Sequence, residues 1–156
     1  MKTMKLAVLA ALTTFAPAAW ADMEIADVRA FETAPTAMAG GGFMQITNTG
    51  DADDRLIAVE ADFPRVELHA HDFDSQGIAR MIHLEDGIPV PAGETVTLEP
   101  GGLHVMFMGL RNNPLVDGET VDATLIFEQA GSVPVTFDIV KRDTGHGHNH
   151  GDGHNH

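Results

Sequence analysis

The chain has 156 residues, a formal net charge of −14, nine His, eight Met and no Cys. The absence of cysteine excludes a disulfide framework, a redox dithiol and any thiolate-ligated metal, blue copper included. The acidic balance repels phosphate backbones and anionic lipid, which argues against nucleic-acid and peripheral-membrane partners.

Residues 1–21 read as a secretory signal. Lys2 and Lys5 supply a positive start, Leu6 to Ala18 an apolar run, and Ala19-Trp20-Ala21 a small-x-small cleavage site. The run is short for a membrane span and contains Pro17, so no membrane anchor is expected. Cleavage before Asp22 would leave 135 residues, about one domain, in the periplasm. Two lysines and no acid leave with the signal, taking the formal charge from −14 to −16.

Glu24 to Phe31 reads as the first strand, followed by a loop through Thr33 to Thr36. Ala39-Gly40-Gly41-Gly42 reads as a flexible hinge into a second strand, Phe43 to Asn48, closed by the turn cluster Asn48-Thr49-Gly50-Asp51. Arg55 to Ala61 is the third, and Phe63-Pro64 separates it from Arg65 to His71. Asp72 to Gly77 looks like a hairpin loop into Ile78 to Leu84. Asp86 to Gly93 cannot be a central strand, since Pro89 and Pro91 lack ladder donors. Thr95 to Leu98 and Leu103 to Met108 follow; Thr120 to Phe127 and Val133 to Val140 form a last antiparallel pair around Gln129-Ala130-Gly131. Helical periodicity is not sustained anywhere. Short strands with turn signals between them indicate an all-β fold, an antiparallel β-sandwich or barrel over 22–142. Residues 143–156 form a separate low-complexity tail with no apolar residue to pack.

Alternation sorts the middle strands by face. Val66 and Leu68 oppose Glu67, His69 and His71; Ile82 and Leu84 oppose Met81 and His83. Leu103, Val105 and Phe107 oppose His104, Met106 and Met108. Each strand thus has an apolar face and a face bearing imidazole or thioether, a soft donor set that suits Cu(I) rather than Mg, Ca or Mn. A lone strand His is ordinarily a polar surface residue, which is the reading for His83. Met44 and Met108 read as packing residues. His71 shares a face with His69 and stands as an auxiliary donor. In the tail, His146, His148, His150, His154 and His156 offer imidazole without sulfur, which suits Cu(II), Ni or Zn. A purification tag would look similar, but the interruptions by Gly, Asn and Asp favour a native metal-binding tract.

Val66-Glu67-Leu68-His69, Met81, the Gly87 to Gly93 loop and Pro100-Gly101-Gly102-Leu103-His104-Val105-Met106-Phe107-Met108-Gly109-Leu110 resemble the periplasmic PCuAC-type copper chaperones, over roughly Ile25 to Lys141. The resemblance implies a cupredoxin-like fold binding one Cu(I) through His69, Met81, His104 and Met106. It also implies transfer to the copper-A centre carried by a cytochrome oxidase subunit, with a Sco-type copper chaperone as a further partner. One departure is Ala70, where many members carry Met after the first His; this chain offers His71 next.

The function expected is therefore binding and delivery, with no catalytic residues. A copper oxygenase with an N-terminal His brace would need His where the mature chain starts with Asp22. A copper-zinc dismutase would need two His-rich sites, and only His69, His71, His83 and His104 lie outside the tail. No Ser/His/Asp elbow or phosphate-binding glycine loop is present. The alternative is a periplasmic zinc- or copper-scavenging or storage protein that works mainly through its tail.

Overall fold

The computed structural model describes residues 22–143, so the signal sequence and the five tail histidines lie outside the described residues. Within them are ten strands and no helix: β1 (Met23–Phe31), β2 (Ala39–Asn48), β3 (Asp54–Ala61), β4 (Arg65–Phe73), β5 (Ala79–His83), β6 (Ile88–Val90), β7 (Thr95–Leu98), β8 (Leu103–Met108), β9 (Thr120–Phe127) and β10 (Gly131–Val140). They join in the order β5-β4-β8-β2-β1-β10-β9-β3-β6, with β7 paired to β2 off this path.

The all-β expectation holds, but the sheet is mixed. β1 and β10 run parallel, from Arg29 beside Asp138 to Phe31 beside Val140. Turn signals announce hairpins, which are antiparallel; pairing between the two ends of the chain involves no hairpin and is free to run either way. The sheet curls over so that both its ends feed one core. Leu56 and Val59 of β3, Leu68 of β4, Val105 and Phe107 of β8, Leu125 of β9 and Phe137 of β10 belong to a single buried cluster. Phe107 meets Phe137 edge-on with ring centroids 5.2 Å apart, a favoured aromatic geometry.

The glycine run expected to be a hinge is instead the first half of β2. Ala39 to Gly42 pair with Met108 to Val105 of β8, while Met44 to Thr47 pair with Leu98 to Thr95 of β7. The reason is space. A Cβ on Gly40 would sit 2.7 Å from a methyl of Leu115, and one on Gly42 would sit 2.8 Å from Phe137 and 2.9 Å from Phe107. Glycine here admits the large side chains packed across it.

β5 also departs from expectation. Its five residues are all exposed, Ile82 included, because it is the outermost strand beyond β4 and has no layer above it. The proline segment does contain a strand, β6, but at the opposite edge of the sheet with Pro89 exposed, the place where a missing donor is tolerated. Buried Asp54 closes the β9–β10 turn by accepting from the backbone N–H groups of Gln129 at 2.9 Å and Ala130 at 2.8 Å.

Overpacking at the glycine run gives a test of this account. Gly42→Ala should lower unfolding free energy by about 1–3 kcal/mol, since both aromatic neighbours lie in the packed core. Gly102→Ala, whose Cβ would meet nothing closer than 3.6 Å, should stay within about 0.5 kcal/mol in the same denaturant titration.

Candidate metal centre

β4 is the hub, flanked by β5 on one side and β8 on the other. Residues directly opposite across a ladder share a face. On β4–β8 the partners are His69 with His104 and Glu67 with Met106; on β4–β5 they are His69 with His83 and His71 with Met81. The structure therefore gathers on one face the donors that alternation assigned there. Leu68 and Val105 alternate onto the other face and are buried in the core, which fixes the register.

His104 is 3% exposed. Its Nδ1 donates to the Gly102 carbonyl at 3.0 Å, which leaves the lone pair on Nε2. That Nε2 is buried and has no hydrogen-bond partner. His69 is 8% exposed, and its Nε2 lies 2.7 Å from Glu67 Oε2 while its Nδ1 is buried and unpartnered. His71 also has a buried, unpartnered Nδ1, and its ring stacks on His104 with centroids 5.1 Å apart. Other buried polar side chains are treated differently. Asn48 donates to the carbonyls of Ala52 and Val90 and accepts from Gly50 N–H, and Asp54 is satisfied as described. A buried nitrogen without a partner costs about 1–3 kcal/mol, so three on neighbouring rings call for an occupant.

The thioethers flank these rings. A cleft of about 410 Å³ is lined by His71, Met81, His104 and Met106, with Phe43 and Arg142 also on its wall. Met81 is 47% exposed at the rim, and Met106 is half-buried. His69 lies beside this cleft rather than in its lining, with its ring centroid 5.8 Å from that of His104. His83 is exposed, 5.5 Å from His69 by centroids. Met44 is core, as expected, and Met108 Sδ receives Arg65 Nε at 3.3 Å. Another cleft, about 300 Å³ and lined by Asp62, Phe63 and Leu115 among others, holds neither imidazole nor sulfur.

The donor chemistry fits copper(I). Among the described residues no three His, Cys, Asp or Glu side chains come together as a metal site, so nitrogen and oxygen alone do not complete one. The thioethers of Met81 and Met106 add soft, neutral donors beside the imidazoles in the same cleft, a mixed set that suits copper.

Electrostatics keep the imidazole of His104 ready. Burial pushes its pKa below the ordinary 6.5; the Gly102 carbonyl pulls the other way, and nearby His71 and His69 add to the lowering. The Glu67 carboxyl is held below its ordinary 4.5, chiefly by the hydrogen bond to His69, against the opposing effect of desolvation.

Several contributors were not singled out from sequence. Glu67 was placed on the donor face without a role, and the Gly102 carbonyl carries no sequence signal at all. Gly41 opposite Met106 lines the cleft, where a Cβ would press within 3.0 Å of the Phe43 ring.

The family described as "Putative lipoprotein LpqE-like" matches residues 23–139. Among curated proteins the chain is 32% identical over 98 residues to "Putative lipoprotein Lxx21020" of Leifsonia xyli subsp. xyli; the match covers 62% of this chain and 58% of that relative's length. Among solved structures it is similar to the copper-bound PCuAC domain from PmoF2, at 28% identity and a TM-score of 0.62, covering 80% of this chain and 97% of that one. It is also similar to the solution structure of CuI-DR1885 from Deinococcus radiodurans, at 28% identity and a TM-score of 0.59, covering 76% and 80%. The cupredoxin-like architecture is shared with these neighbours.

The pH behaviour of the metal-free protein follows. The unfolded chain takes up a proton at the ordinary imidazole value and folded His104 only at lower pH. Its contribution to stability is then complete above about 6.5 and is lost as pH falls toward the folded value. Ring NMR of the metal-free chain should show His104 titrating below 6.5, with its Nδ1 proton retained at neutral pH.

Proposed function

The chain belongs to the LpqE-like family, of PCuAC type, and from that membership we propose that it is an exported, non-enzymatic copper chaperone. It holds one Cu(I) through His69, Met81, His104 and Met106 and passes copper to the copper-A centre of a respiratory oxidase. The observation that carries this reading is the set of buried, unpartnered imidazole nitrogens beside a cleft walled by two thioethers.

Delivery requires a site that binds and lets go. All four ligands are neutral, and Met81 stands at the exposed rim, where an incoming ligand of a partner can displace it. A structural metal site is closed by comparison. His71, with its own unpartnered nitrogen in the same cleft, is an auxiliary ligand suited to stepwise exchange. The recipient is an oxidase subunit carrying the copper-A site, with a Sco-type chaperone as intermediary, and the periplasm is the place of work. The tail histidines His146, His148, His150, His154 and His156 form a second, Cu(II)-binding tract.

Membership also bears on attachment. The family and the curated relative carry lipoprotein descriptions, whereas the 156 residues here include no Cys to bear a lipid. Export is the property proposed.

Met106→Leu conserves volume and removes the sulfur, so the fold should survive while Cu(I) affinity falls by about tenfold or more in competition against a Cu(I) chelator. Cells relying on that variant under copper limitation should show reduced copper loading of their oxidase, restored by added copper. Unchanged affinity would remove Met106 from the ligand set, and full oxidase loading in a strain lacking the protein would remove the delivery role.

A further inference from the structure

We propose that Glu67 is the positioning residue of the copper site, orienting His69 through its Nε2–H so that Nδ1 is the ligating atom. The inference rests on the copper reading above and deepens it.

Glu67 and His69 are two apart on β4, so their side chains lie on the same face, and Glu67 Oε2 lies 2.7 Å from His69 Nε2. The second carboxylate oxygen is tied to Arg65 Nε at 3.0 Å, and the Arg65 guanidinium also donates to Met108 Sδ at 3.3 Å. The carboxylate is thus held from both sides. With Nε2–H donating to Glu67, the only lone pair left on a neutral His69 is at Nδ1, which is the buried nitrogen without a partner. The Gly102 carbonyl does the mirror-image task for His104, holding Nδ1–H and leaving Nε2. The two imidazoles therefore present different nitrogens, each set by a distinct acceptor.

The alternative is that Glu67 serves only as the partner of Arg65. That contact explains little. The Arg65 side chain is 62% exposed while that of Glu67 is 14% exposed, and an ion pair open to water contributes little. A largely buried carboxylate touching a ligand imidazole does two other things. It makes the far nitrogen a better donor, and it places a negative charge beside a site whose ligands leave the Cu(I) charge uncompensated. Glu67 also lies directly across the ladder from Met106, so its charge adjoins a sulfur ligand as well as a nitrogen one.

The test reads the tautomer first. Ring ¹⁵N NMR of the metal-free full chain at pH 8, where an ordinary imidazole is neutral, should show His69 protonated on Nε2 and bare on Nδ1. Glu67→Gln, with its unfolding temperature measured alongside, should shift His69 toward a mixture of tautomers and weaken Cu(I) binding about 10- to 100-fold against the same chelator. His104, held by Gly102, should keep its Nδ1 proton in both proteins. A His69 protonated on Nδ1 in the unsubstituted protein would overturn the proposal, and that result needs no variant to fold. A folded Glu67→Gln chain with parental Cu(I) affinity would overturn it while leaving the copper reading intact. Failure of the unsubstituted protein to bind Cu(I) would overturn both.

Discussion

The pairing register between β4 and β8 is the constraint on which the site depends. Strand side chains alternate with a period of two, so placing Leu68 beside Val105 in the core places His69 beside His104 on the opposite face. A slip of one residue would turn Glu67, His69 and His71 toward the core in place of Val66 and Leu68. The hydrophobic core is thus what aligns the proposed copper ligands, although none of its own residues is among them. The glycine run of β2 extends the same logic, because it lets β8 and the aromatic pair Phe107 and Phe137 pack closely beneath the donor strand.

Desolvation is the second determinant. His104 and His69 are both buried, yet each has one nitrogen committed to an acceptor and one left over. Leaving those nitrogens unpaired costs stability in the metal-free protein, of the order of 1–3 kcal/mol for each. A metal that recovers this cost is bound more tightly than its bare ligand count implies. The exposed position of Met81 works against tightness. Together they give imidazoles held by fixed acceptors and one thioether open to solvent, as the proposed transfer requires.

Much of this was legible in the sequence because the signals were local. β7, β8 and β9 have the boundaries that turn residues and alternation predict, and the donor face of β4 follows from period two alone. What was not legible depends on partners distant in sequence. Gly40 to Gly42 look like a hinge until Leu115, Phe107 and Phe137 are seen to fill the space a side chain would need. Ile82 looks like a core residue until β5 proves to be the outer edge of the sheet. The parallel pairing of β1 with β10 joins the two ends of the domain, which no turn residue records. Glu67 was visible on the right face, but its role needed a distance of 2.7 Å to His69.

The central claim is that the metal sits between imidazole and thioether in the folded domain. Copper-edge X-ray absorption on the Cu(I) form of the chain cut after Arg142 measures this directly, since no tail histidine remains to contribute. The account predicts a first shell containing both sulfur and imidazole nitrogen, with the sulfur contribution reduced by Met106→Leu. A first shell of nitrogen or oxygen alone would contradict it.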